Sequence, residues 1–129
     1  MDCSDLYVKM SKKAEDLQRL WVPSEGDMFA DELCHVSMVN PSILDHLNRS
    51  LKEGKRERYV WLPRQDQLQE MILPLFKGNC HWMLEECYKF IQPPYSTKLE
   101  SMEQIWLAFI MQEKFRKTWN GENWEVTRK

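Results

Sequence analysis

The sequence predicts an α+β fold: a mostly helical single domain over residues 1–129, with four or five helices around a central C-terminal helix (101–118) and a short antiparallel sheet. Three observations carry this expectation. Seven apolar residues run without a break from Ile105 to Met111. A surface helix shows a stripe rather than an apolar girdle, so this segment is expected to be enclosed by its neighbours. Apolar residues recur at helical spacing in several other segments. Two stretches, about 28–39 and 57–62, are rich in strand formers. If those two stretches fail to pair, the alternative is an all-α fold.

Taken in order, Ser4 or Asp2 can cap a first helix running to about Leu20, with Leu6, Met10, Leu17, Leu20 and Trp21 on one side. Pro23 stops it, because the residue before a proline leaves the helical region. Ser24 to Asp27 is turn chemistry. From Leu33 a strand would place Cys34, Val36 and Met38 on one face and His35 and Ser37 on the other. Asn40 followed by Pro41 reads as an N-cap with proline at the first helical position. Ile43, Leu44, Leu47 and Leu51 form the stripe of that helix, and Gly54 closes it.

After a charged connector at 55–58, the segment Arg58–Leu62 is the second strand candidate, ended by Pro63. A helix follows from about Arg64, with Leu68, Met71 and Ile72 on one face, and Pro74 should kink or end it. Asn79 can cap the next helix, whose stripe is Cys80, Met83, Leu84, Cys87, Tyr88 and Ile91, ended by Pro93-Pro94. A loop over 95–100 leads to the central helix, which opens on a Ser101/Gln104 capping box. The Asn-Gly pair in 119–124 suggests a small hairpin whose two tryptophans fold back on the body.

Composition narrows the function classes. A formal net charge of -2 supplies no overall basic excess for generic DNA binding, although a local patch can still exist. The aromatic fraction of 12% argues against disorder over most of the length. The N-terminus lacks the apolar core of a signal peptide, and the longest apolar run is too short for a bilayer. The expectation is a cytoplasmic protein with no membrane partner. Cys3, Cys34, Cys80 and Cys87 then read as free thiols, and for Cys34, Cys80 and Cys87 a buried packing role is expected rather than a ligand role.

Several clusters invite a chemical reading. Cys34-His35 and Cys80-His81 offer four soft ligands for zinc, but neither pair has the spacing of a zinc knuckle. A cysteine nucleophile with a histidine base lacks any surrounding oxyanion or elbow motif. Asp66 and Glu70, Glu85-Glu86, and Glu100 with Glu103 could hold a divalent ion. Against this, Glu85 with Lys89 and Glu113 with Lys117 look like the ion pairs of a solvated face.

Arg49, Lys52, Lys55, Arg56, Arg58 and Arg64 surround Tyr59 and Trp61, a pattern suited to phosphate contact and base stacking. The plainer reading is a solvated connector with both aromatics buried. Arg64, Gln65, Asp66 and Gln67 at a helix start fit either capping or a hydrogen-bonded partner. Six tryptophans exceed ordinary filler; Trp61 and Trp106 are expected inside, while Trp82 falls off its helix stripe and is the candidate anchor.

Two blocks carry a resemblance. Val60-Trp-Leu-Pro-Arg-Gln-Asp-Gln-Leu-Gln-Glu-Met71, and Ser101-Met-Glu-Gln-Ile-Trp-Leu-Ala-Phe109 running on to Trp119–Trp124, resemble small uncharacterised phage and prophage proteins of Gram-positive bacteria. The resemblance covers about half the chain. It implies a phage-type cytoplasmic protein with no assigned activity, and brings no catalytic residues. The expected function is a small non-enzymatic protein–protein interaction module. Its partner-binding candidates are Arg56, Arg58, Arg64, Gln65, Gln67 and Trp82, its partner an unidentified protein or a second copy in a homo-oligomer. The alternative is an accessory nucleic-acid-binding protein using the basic 49–64 stretch. No cofactor, metal ligand or catalytic residue is assigned.

Overall fold

Ser4 opens the first helix of the computed structural model, which describes residues 1–92 and 99–127, by accepting the Tyr7 N–H. The described residues hold six α-helices, a three-stranded antiparallel sheet and a two-stranded hairpin, a mostly helical α+β chain. They divide into two compact units. One is Cys3–Pro63; the other joins Met1–Asp2 to the chain from Arg64 onward.

In the first unit, α1 (Asp5–Lys13) ends sooner than the expected stop near Leu20. Ala14 leaves the helical region at ψ 64°, and a short second helix, α2 (Glu15–Gln18), follows. The stripe therefore breaks, with Met10 and Leu17 buried and Leu20 exposed. Asp27 is buried and holds the next turn, its Oδ2 accepting from Trp21 Nε1 and from the Ser24 N–H, both at 3.0 Å.

The 28–39 segment is a hairpin of two short strands, β1 (Met28–Ala30) and β2 (Val36–Met38). Its tip is built by Asp31, whose Oδ1 accepts the N–H groups of Leu33 (2.8 Å) and His35 (3.0 Å). Those bonds hold the Asp31 carboxyl below the usual carboxylate range, the His35 N–H contributing most. Cys34 sits in the tip at φ 61°, in the left-handed region, so it does not share a strand face with Val36 and Met38 as the alternation suggested.

After β2, Asn40 accepts the Ile43 N–H to start α3 (Pro41–Lys52), and Gly54 closes it at φ +77°. A 3-10 turn (Arg56–Arg58) leads to β3 (Val60–Leu62), which pairs with β1 to give the order β2-β1-β3. Phe29 and Trp61 lie opposite each other on one face, where Trp21 stacks on Trp61 with 2° between the planes and Tyr59 meets Phe29 edge-on. Burying these rings is the main apolar contribution of that face, about 1.5–3 kcal/mol for each large side chain.

In the second unit, Gln67 Oε1 accepts the Arg64 N–H at the start of α4 (Gln65–Ile72), and a 3-10 turn containing Pro74 (Leu73–Phe76) ends it. Asn79 caps α5 (Cys80–Phe90) by accepting the Trp82 N–H. The proline stop at 93–94 and the loop expected over 95–98 lie outside the described residues. Ser101 caps α6 (Met102–Phe115) by accepting the Gln104 N–H, while Gln104 Oε1 accepts from the Glu100 N–H. Asp2, a candidate cap for α1, instead serves α6, accepting from Ser101 Oγ and Gln104 Nε2.

Of the unbroken run Ile105–Met111, Trp106 through Met111 are buried and Ile105 is half-buried, and Phe109 is ringed by Phe76, Phe90 and Trp106. The helix ends three residues before the expected Thr118. Arg116 turns left-handed at φ 57°, and β4 (Lys117–Trp119) pairs with β5 (Trp124–Val126). Asn120 Oδ1 braces the connecting loop by accepting the N–H groups of Glu122 and Asn123. Trp119 is buried and Trp124 half-buried, their rings 5.1 Å apart.

Candidate protein-binding surface

The sheet of the first unit has two outer edges, and the chain treats them differently. Register fixes which way each backbone group points, since a strand residue aims its N–H and C=O to the same side and neighbours alternate. Val39 N–H donates to Asp27 O, and Asp31 N–H donates to His35 O. Hence Asp27, Phe29 and Asp31 face β2, while Met28 and Ala30 face β3. By the same alternation Trp61 points its N–H and C=O away from β1.

That outward pair is closed by a side chain. Gln18 Oε1 accepts the Trp61 N–H at 2.8 Å, and Gln18 Nε2 donates to Trp61 O at 2.9 Å and to Ser11 O at 3.0 Å. The Gln18 amide therefore stands in for a strand at the β3 edge. Arg56 locks this arrangement, donating to the carbonyls of Gln18 (2.8 Å) and Trp21 (3.1 Å).

At the other edge the alternation turns Val36 and Met38 outward. Neither residue's N–H or C=O has a hydrogen-bond partner on that side among the described residues. Met38 is 59% exposed, and Leu33 at the hairpin tip is 74% exposed. An open edge is ordinarily protected by lysine, proline or an inward charge. From Cys34 to Ser42 there are nine residues without one Asp, Glu, Lys or Arg, in a chain that is 29% charged.

The residues singled out from sequence fall on both units, Arg56 and Arg58 on the first and Arg64, Gln65, Gln67 and Trp82 on the second. Arg56 is half-buried and occupied by the two carbonyls. Arg58 is exposed and lies 3.6 Å from Glu32. Arg64 lies 3.1 Å from Asp66 at the start of α4, and Gln67 is the partner of the Arg64 N–H, so this cluster acts in capping. Gln65 is half-buried in the first turn of α4. Trp82 is 40% exposed, with its ring edge-on to Phe76 at 5.1 Å.

Of the two aromatics in the basic stretch, Trp61 is enclosed and Tyr59 is half-buried, its hydroxyl 2.9 Å from His46 Nε2. In the same stretch Arg56 has its Nη1 engaged by two carbonyls. Lys55 lies 2.9 Å from Glu53, whose carboxyl it holds below the usual range.

The stripe expected on α5 is rotated. Met83 and Cys87 are buried and Phe90 packs on Phe109, whereas Cys80, Leu84 and Tyr88 face solvent on one flank. The docking of Phe90 sets this rotation. Cys80 is accordingly exposed rather than packed, Cys34 in the hairpin tip is exposed as well, Cys3 is an exposed free thiol, and only Cys87 is buried, its thiol pushed up to about 11 by burial. The charge pairs differ as well. Glu85 meets His81 (3.3 Å), Lys89 meets Glu86 (3.3 Å), and Lys117 lies in β4 beyond the end of α6.

Among the described residues, no group of three or more His, Cys, Asp or Glu side chains is placed to hold a metal ion. A groove of about 410 Å³ between the hairpin and α3 gathers Phe29, Ser37, Ile43, His46, Arg58 and Tyr59. His46 makes its hydrogen bond to Tyr59 and none to Ser37, so no nucleophile–base pair forms there. No described helix is long and apolar enough to cross a membrane. In comparisons with protein-family models, curated proteins and solved structures, nothing matches this chain.

The β2 edge is the feature that reading along the chain missed. One signal was present, the uncharged run 34–42 beside a strand candidate. The other half of the contrast, a glutamine closing the opposite edge from 43 positions away, has no local signature.

Proposed function

We propose that this protein is a non-enzymatic protein–protein interaction module, of the phage type its sequence resembles, that takes an extended segment of another chain onto β2. The observation that carries this reading is the outward N–H and C=O groups of Val36 and Met38, left open on an uncharged edge while the β3 edge is sealed by Gln18. Addition of a strand to such an edge draws affinity from main-chain hydrogen bonds and specificity from alternate side chains. Here Val36 and Met38 share the sheet face that carries the buried Ala30 and Leu62, so an added strand with apolar alternate residues would extend that face.

The test is amide hydrogen exchange on the protein with peptides selected from a displayed random library. Selected peptides are expected to be extended, with apolar alternation, and to slow exchange at the Val36 and Met38 amides more than at any amide of α5. Enriched peptides that protect α5 instead would move the binding surface to Leu84, Tyr88 or Trp82. A library that yields no binder of any kind, together with a protein that does not self-associate, would defeat the interaction reading.

A further inference from the structure

We infer that the occupant of the β2 edge is a second copy of this chain, paired antiparallel about a two-fold axis through Ser37. The inference rests on the interaction reading above and adds the identity of the partner. A two-fold interface uses the same patch on both partners, so the patch must complement itself. Val36-Ser37-Met38 does so. With Ser37 opposite Ser37 of the second copy, Val36 of each chain lies opposite Met38 of the other. Both are the residues whose N–H and C=O point outward, so each pair can exchange two hydrogen bonds.

Ser37 then occupies a non-hydrogen-bonded pair, where facing side chains approach most closely, and a small residue fits there. The two outward apolar side chains, Val36 and Met38, meet their counterparts on one face. No carboxylate, Lys or Arg lies anywhere from Cys34 to Ser42, so no like charges face each other across the axis. The length of the edge also favours a copy over a free peptide. Cys34 at φ 61° and Pro41 bound the strand on either side, leaving three residues and few main-chain bonds. A short free strand gains little from so few bonds. A folded copy adds its exposed Met38 and Leu33 to the same contact and is already ordered before it binds.

The experiment uses the full chain. Sedimentation at increasing concentration is expected to show a reversible monomer–dimer equilibrium, and exchange at the Val36 and Met38 amides should slow as the dimer fills. Ser37→Cys, in a background with Cys3, Cys34 and Cys80 changed to Ser, should form a disulfide dimer on mild oxidation. Facing Cα atoms in such a pair are about 4.5 Å apart, within reach of a disulfide. Val36→Cys in the same background should not, because Val36 faces Met38. Met38→Pro removes an outward N–H that β1 does not use, and should leave the circular dichroism spectrum unchanged while abolishing the dimer.

A chain that stays monomeric at about 1 mM, or equal cross-linking by the two cysteine variants, would overturn the self-pairing. If that monomer still has its Val36 and Met38 amides protected by a library peptide, the interaction reading stands and only the second copy is lost. If neither occurs, both fall.

Discussion

The two outer strands of the sheet are alike in length, Val60-Trp61-Leu62 on one side and Val36-Ser37-Met38 on the other, and both pair with β1. They differ in what lies beyond them. The outward groups of Trp61 are met by the primary amide of Gln18, which sets a donor beside an acceptor as a peptide unit does, its second N–H going to Ser11 O. The outward groups of Val36 and Met38 meet nothing comparable among the described residues. An edge is therefore not open because it is an edge; it is open where no side chain has been positioned to imitate the missing strand.

The largest effect is expected from loosening β1, the strand both edges share. Phe29 is buried between Trp21, with ring centroids 6.3 Å apart, and Tyr59 at 6.0 Å. Phe29→Ala should cost about 3–5 kcal/mol, read as a lower urea midpoint, because it removes a large buried ring and leaves a cavity. Exchange at the Trp61 amide should accelerate, and association through β2 should disappear with it. A loss below about 1 kcal/mol would mean that the ring is not what holds the three strands together.

A smaller change opens the sealed edge alone. Gln18→Ala leaves the Trp61 N–H and C=O without their partners, an expected loss of about 1–3 kcal/mol. The Trp61 amide should then exchange nearly as fast as those of Val36 and Met38, while the β2 edge keeps its behaviour. Gln18→Glu sharpens the test. Its carboxylate can still accept the Trp61 N–H but repels the Trp61 carbonyl, so part of the lost stability should return as pH falls and the carboxyl becomes a donor. Unchanged Trp61 exchange in Gln18→Ala would refute the sealing role.

Features set by neighbours along the chain were legible in the sequence. Asn40, Asn79 and Ser101 cap the helices they were expected to cap, Pro63 ends its strand, and the unbroken run Ile105–Met111 is buried except for the half-buried Ile105. What failed was decided at a distance or by a competing side chain. The Asp31 carboxylate draws Leu33 and His35 into a tip, so Cys34 leaves the strand that alternation alone would give it. Phe90, outside the apparent α5 stripe, docks on Phe109 and turns Leu84 and Tyr88 to solvent. Arg56, a phosphate candidate by composition, is held by two carbonyls that its own sequence neighbourhood does not contain. The contrast between edges belongs to this second class, since it depends on where a helix break at Ala14 delivers the Gln18 side chain.

The smallest expected effect concerns the margin of the open edge, and two cysteines report on it. Cys34 is exposed in the hairpin tip just before β2, whereas Cys87 is buried on α5. With Cys3 and Cys80 changed to Ser, a bulky maleimide at Cys34 should weaken self-pairing only about two- to fivefold, the effect of a rim residue, since the paired groups belong to Val36 and Met38. Cys87 serves as the internal control. Its folded thiol is raised to about 11 from 9.0, so the native state retains a proton that the unfolded chain gives up. Stability from this thiol is therefore level below about pH 9 and falls as pH rises toward 11, because the unfolded state ionises first. Labelling of Cys87 should stay slow at pH 8 and track global opening, while Cys34 reacts at once. Loss of the dimer by far more than fivefold on Cys34 labelling would place the axis nearer the hairpin tip than Ser37, and shift the register of the pairing with it.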